Sequence, residues 1–399
     1  MTKADGGKPA NTELKPDTKV TIGGRNPFAH HGYVNTPVYH ASTLLYPTAE
    51  DFLARRNRYS YGRRGTPTSE ALEKAIQEIE GPACAGVALL PSGLAAISAA
   101  LISVLQAGDH VLVTDSVYAP TRKFCDSVLA RYGVATSYYD PLVGSGIASL
   151  MQPNTRAVFT EAPGSLTFEM QDIPAIAEVA HGRGALVLMD NTWASPLYFK
   201  ALEKGVDLSI QSGTKYIGGH SDLMLGAVSA NQETLARLKD TVFAMGLCVG
   251  PDDMNLGLRG LRTLAVRLAR HHQSGIAVAR WLEQRPEVLR VLHPALPGNS
   301  GHAIWQRDFT GACGLFGVVL KPVRQEAVLA LLNTLTLYGM GASWGGFESL
   351  AIPYDVSSLR TATNWAPGGP SLRLHIGLED VSDLIADLER GFAALAAAK

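Results

Sequence analysis

Cysteine is scarce in this chain. Its four residues, Cys84, Cys125, Cys248 and Cys313, lie tens of positions apart among 399, and none falls in a C-x-x-C spacing. That argues against a disulfide framework or a thiolate metal cluster and fits a reducing cytoplasm. Long apolar runs are missing too: no window approaches 18 consecutive apolar residues, and the opening "MTKADGGKPANTELKPDTK" has no apolar signal-peptide core. Neither membrane spanning nor secretion is therefore expected. Charge of one sign is not in excess. The 35 Lys and Arg against 36 Asp and Glu leave a formal net charge of −1, a balance that favours no nucleic-acid or membrane partner. There is no internal repeat and no low-complexity tract, and the first twenty or so residues read as a mobile arm.

What is present is a chain with 46% hydrophobic residues, enough to bury the cores of two or three domains at about 150 residues each. Between 81 and 231, strand-like apolar runs alternate with helical patterns, as in an α/β fold with a mostly parallel sheet flanked by helices. "GLAAISAALISVLQ" (93–106) predicts a helix ending at Gly108, and "HVLVT" (110–114) a buried strand. A helix near 119–131, "ATSYY", the strand "TRAVFTE" (155–161), a helix near 173–182 and the strands "ALVLMD" (185–190) and "DLSIQS" (207–212) continue the alternation. From about 255 the pattern becomes a long helix, then "GLFGVVL", a helix and "SLRLHIGL". The expected organisation is an N-terminal arm or clasp over 1–60, an α/β domain over 61–255 and a smaller α+β domain over 256–399.

One long cation stands out. Lys215, in "SGTKYIGGHSD", follows the last of these strands among the small residues Ser212, Gly213 and Thr214. Three readings compete. Lysines are mostly solvated, and a surface loop is the plain one. The S-x-x-K spacing from Ser212 suits a serine acyl-transfer site, but Ser212 ends a strand where that motif starts a helix, and neither S-D-N nor K-T-G occurs. The third reading is a Schiff-base lysine for pyridoxal phosphate, which needs a dry pocket and small neighbours.

The surrounding sequence supplies what the third reading demands. Asp190 ends a strand, and parallel sheets bind ligands beyond such ends, where a carboxylate can hold the ring-nitrogen proton; it equally suits a helix N-cap. The Ser92-Gly93-Leu94 turn opens a helix whose free amides suit a phosphate, with the Ser212 and Thr214 hydroxyls nearby. Tyr118 offers a flat ring for stacking, or a core tyrosine. "ARRNRYSYGRRGTPT" clusters Arg55, Arg56, Arg58, Arg63 and Arg64, usually a solvated face, yet Tyr61 beside Arg63 hints at a site.

Together, "YGRRGTPT", "PSGLAA", "DSVY", "DNTW", "SGTKYIGGHSD", "RGLRTLAVRL", "SWGGFESL" and "LRLHIGLED" resemble the Cys/Met-metabolism family of fold type I pyridoxal-phosphate enzymes over nearly the whole chain from about residue 20. Trp344 in "SWGGFESL" and the run "EAPGS" resemble its bacterial cystathionine β-lyase branch rather than the γ-lyases and γ-synthases, and Ser165 departs from the family's Asn. The resemblance implies the roles that follow. Lys215 is the imine-forming lysine and base, Asp190 the pyridinium partner, Tyr118 the stacked ring, and Gly93, Leu94, Ser212 and Thr214 phosphate contacts. Arg373 binds the substrate carboxylate with help from Ser343, Trp344 belongs to the substrate site, and Tyr61 and Arg63 reach in from a neighbouring subunit. It further implies a homo-oligomer, a dimer with shared sites that pairs into a tetramer, acting on a small amino-acid thioether without a metal.

Overall fold

Seven short apolar runs build the first sheet: β1 (Gly86–Leu90), β2 (His110–Thr114), β3 (Ala135–Tyr139), β4 (Thr155–Glu161), β5 (Leu186–Asp190), β6 (Leu208–Ser212) and β7 (Gly226–Ala230). The computed structural model describes residues 14–398. The strand order is β1-β7-β6-β5-β4-β2-β3. The pairs from β3 across to β6 are parallel, and β7 runs antiparallel to both β6 and β1. Both faces are covered, which is why these runs are apolar throughout rather than alternating. Leu112, Val158 and Val187 enter one core, while Val111, Val113, Ala157, Phe159 and Leu188 enter the other.

The register places chemistry at one edge. Glu161 pairs with Asp190 across β4 and β5, and Asp190 with Ile210 across β5 and β6, so Ser212 stands just beyond at the same carboxyl end. Every parallel strand delivers its polar terminus there.

A second, antiparallel sheet follows, from β8 (Val288–Leu292), β9 (Leu315–Leu320), β10 (Leu350–Tyr354) and β11 (Ser371–His375), in the order β10-β11-β9-β8. Leu372 and Leu374 pack with Phe316, Val318 and the helices Gln325–Thr334 and Val381–Ala397. By the alternation of a strand, Arg373 and His375 point the opposite way. A buried carboxylate ties this part to the first sheet. Asp115, just past β2, accepts the amides of Thr361, Ala362 and Thr363 and a 2.6 Å bond from Arg122 Nη2.

Three expectations change. The mobile arm holds only outside the described residues, before 14. Pro16–Ile22 is a helix with Val20 buried in the main core, and Arg262 Nη1 donates to the carbonyls of Val20 and Gly23 at its end. The helix near 119–131 stays α-helical only over Ala119–Phe124 and continues as a π-helical turn over Cys125–Leu129. The long helix after 255 is two, Pro251–Arg262 and Leu264–Glu283, broken at Thr263. Among the described residues no helix is long and apolar enough to cross a membrane.

Candidate active site

Lys215 sits in the turn leaving β6, where its amide donates to the Ser212 carbonyl at 3.1 Å and Gly219 donates back to its own carbonyl at 2.7 Å. Its Nζ donates to Ser343 Oγ at 2.7 Å and lies 5.4 Å from the centre of the Trp344 ring. Burial, with Arg373 adding repulsion and Asp190 opposing, pushes the ammonium down to about 8. A bound lysine that loses its proton near neutrality is prepared to act as nucleophile and base.

Asp190 accepts both the Thr192 amide, at 3.0 Å, and the Thr192 hydroxyl, at 2.5 Å, on Oδ1. Burial lifts its carboxyl above the usual range, opposed by those Thr192 bonds and by Lys215. Its register neighbour Glu161 is raised further still, by burial and then by Asp190 itself, because two carboxyls at adjacent strand ends resist sharing charge. Glu161 Oε2 accepts the Tyr118 amide at 2.7 Å and so sets the turn that carries Tyr118. That role was not foreseen from the sequence. The available signal was that Glu161 ends β4 as Asp190 ends β5. The Tyr118 side chain remains largely exposed, a ring without a partner among the described residues, and burial followed by Asp190 and Glu161 raises its phenol.

The helix Gly93–Val104 supplies an anion cradle. The Ser92 hydroxyl caps the Ala95 amide and the Ser92 carbonyl takes Ala96, leaving the amides of Gly93 and Leu94 open at the positive end of the helix dipole. A side chain at position 93 would bring its Cβ within 2.6 Å of Ser212 Oγ, so glycine alone keeps that space. The Thr214 hydroxyl donates to the Leu225 carbonyl and accepts its amide.

Arg373, buried on β11, donates to the carbonyls of Gly341, Ala342 and Ser343 at 2.8–3.0 Å, while its Nε has no partner. Burial lowers it to about 10, which leaves it a cation at neutral pH. Lys215, Asp190, Tyr118, Arg373, Ser343 and Trp344 are thus brought together. Tyr61 and Arg63 are not. Tyr61 is exposed and bridges Thr43, and Arg63 lies over the Phe243 ring at 4.2 Å, donating to the Phe243 carbonyl. Arg64 stacks on the same ring, and Arg56 and Arg58 pair with Asp51 and Glu70.

A family model described as Cys/Met metabolism PLP-dependent enzyme matches residues 17–393. The chain belongs to this family. A Rhizobium johnstonii protein carrying a provisional cystathionine β-lyase name is 53% identical over 385 residues, 96% of each chain. The Escherichia coli cystathionine β-lyase MetC is 44% identical over 392 residues, 96% of this chain and 99% of its own. The crystal structure of metB from Corynebacterium glutamicum superposes with a TM-score of 0.89 at 30% identity, covering 97% of this chain and all of that one. The family's cofactor fits the site as built: open amides for a phosphate in a space only glycine leaves, a lysine with a lowered proton affinity, and a buried carboxylate under an unpartnered ring.

Proposed function

We propose that this pyridoxal-phosphate enzyme is a carbon–sulfur β-lyase that cleaves L-cystathionine to homocysteine, pyruvate and ammonia. The near-full-length identity to a named cystathionine β-lyase carries the reading, and the side chains above supply its chemistry. The amides of Gly93 and Leu94, with Ser212, bind the cofactor phosphate. Asp190 holds a proton on the ring nitrogen and Tyr118 covers one ring face. When bound, pyridoxal phosphate supplies an electron sink for the charge released at Cα. Arg373 receives the substrate α-carboxylate, exchanging turn carbonyls for a planar anion that its fork matches. Lys215 Nζ tethers the cofactor, takes the Cα proton once displaced, and returns one as sulfur departs with the Cβ–S electron pair, leaving a three-carbon fragment that water converts to pyruvate and ammonia.

The site is completed by a second copy, whose Tyr61 and Arg63 reach the phosphate in a two-fold dimer, and such dimers pair into a tetramer. Phe28, Tyr33, Leu45, Phe52 and Leu53 are all more than 60% exposed on the segment leading to Tyr61, an apolar surface suited to an interface. Four unpaired cysteines, three of them buried, suit the cytoplasm.

The deciding experiment gives L-cystathionine to the purified, cofactor-loaded enzyme and identifies the keto acid and thiol. Pyruvate with homocysteine is expected. Release of 2-oxobutyrate with cysteine would instead make it a γ-lyase.

A further inference from the structure

The mechanism above leaves His375 unused, although it is fully buried two places beyond Arg373 on β11. Its Nε2 lies 3.1 Å from the amide nitrogen of Gly345 and 3.1 Å from the carbonyl oxygen of Gly346. One ring nitrogen therefore serves two successive peptide groups, accepting from the first in one tautomer and donating to the second in the other. Gly345 in turn rests on the lysine. At φ +85° it takes a backbone conformation suited to glycine, and a Cβ there would stand 3.0–3.1 Å from the carbonyl carbon, Cα and Cβ of Lys215. The preceding residues, Ser343 and Trp344, are the ones that meet Nζ.

We propose that His375 is a positioning residue: together with Arg373 it suspends the 341–346 turn from β11, and so sets where the Ser343 hydroxyl and the Trp344 ring meet Lys215. Arg373 holds the carbonyls of 341–343 and His375 the peptide groups of 345 and 346, so two side chains of one strand grip both ends of the turn. The grip is rigid because the ring is wedged. His271 packs at 5.2 Å and Tyr216, next to the lysine, at 6.1 Å. The charged and titratable groups around the imidazole are His271, Arg373 and Lys215, and burial ahead of these holds it down to about 3. The ring is thus neutral throughout the working range and retains a lone pair for one peptide group or a proton for the other.

The inference rests on Lys215 being the cofactor lysine, and its test separates the two. On the full-length chain freed of cofactor, the pH dependence of Lys215 acetylation by acetic anhydride is followed by mass spectrometry. The wild type is expected to be half-reactive near pH 8. His375→Leu releases the turn, admits water to Nζ and moves the midpoint up by about one pH unit, making modification at pH 7 about tenfold slower. His375→Gln, whose amide reaches the Nε2 position with both an acceptor and a donor, keeps the wild-type midpoint. His375→Asn, whose amide stops short of it, follows leucine. A wild-type midpoint in the leucine variant, or equal midpoints for Gln and Asn, would overturn the proposal, and the Gln and Asn pair decides alone if the leucine variant does not fold. Borohydride reduction of the loaded wild type locates the cofactor lysine independently. Attachment away from Lys215 would sink the functional reading of that residue without touching the comparison of midpoints.

Discussion

Two carboxyl groups, Glu161 and Asp190, end adjacent strands in matched register, and their environments separate their tasks. Glu161, raised well above its usual range, is kept neutral beside the Tyr118 turn, which leaves Asp190 as the anion for a ring-nitrogen proton. A unit charge pair about 3 Å apart is worth roughly 5 kcal/mol at an effective dielectric of 20, so Asp190→Asn should lose at least about a hundredfold in turnover while the phosphate cradle keeps the cofactor. Steady-state rates measured beside cofactor absorbance check this, and near-normal turnover with cofactor bound would remove the role. Lys215 gives a pH prediction. Cofactor attachment requires the neutral amine, and a lysine lowered to about 8 is roughly one-tenth neutral at pH 7, whereas one at 10.4 would be neutral in about one molecule in 2,500. The rate of reconstituting the cofactor-free chain should therefore rise with pH and level off above about 8. A rate still climbing at pH 10 would place the lysine in water.

At the scale of elements, the end of the helix Pro67–Glu80 carries a cost. Glu80 is fully buried, its Oε1 accepts from Ser209 Oγ of β6 at 2.9 Å, and its Oε2 has no partner. Burial, against the Ser209 bond and Lys200, raises it to about 7 from 4.5. The folded chain therefore holds this proton more tightly than the unfolded one, so stability is full below about 4.5 and falls as pH rises toward 7, by roughly 3 kcal/mol in total. Glu80→Gln keeps a partner for Ser209 without the charge. Its urea midpoint should match the wild type at pH 4 and exceed it at pH 8, and parallel pH profiles would show that Glu80 ionises freely. The helix itself was legible only in part before the structure, and the reason is general. Strands β2, β4, β5 and β6 announce themselves as short apolar runs ending in polar residues, and those ends gave Asp190, Ser212 and the turn of Lys215. Helix breaks at Cys125 and Thr263 were not legible, because the local pattern stays helical through both. Glu161, Glu80 and His375 were missed for another reason. Their partners, Tyr118, Ser209 and Gly345, lie 43, 129 and 30 positions away, and only the register of the sheets brings them together.

At the scale of the whole molecule, the question is whether one chain makes a complete site. Within its own chain Arg63 is anchored on Phe243, at the end of the helix Leu235–Ala244, and makes no described contact with Lys215, Asp190 or the Gly93 turn. The apolar side chains leading to it stand exposed. If Arg63 serves the partner's site, mutants of Arg63 and Lys215 must complement. In a two-fold dimer, a chain with Arg63→Ala and a chain with Lys215→Ala bring both intact residues to one shared site and both lesions to the other. Random pairing makes half the dimers hybrid, and half of each hybrid's sites are whole, so co-expression of two nearly inactive parents should restore about a quarter of wild-type activity at equal expression. Were Arg63 to act within its own chain, every hybrid site would keep one lesion and nothing would return. Arg63→Ala weakens phosphate binding in either case, so both parents are assayed at cofactor levels shown by absorbance to load them. Hybrids isolated through two different tags then decide the matter: activity near a quarter of wild type establishes the shared site, and activity no higher than the parents' returns Arg63 to its own chain.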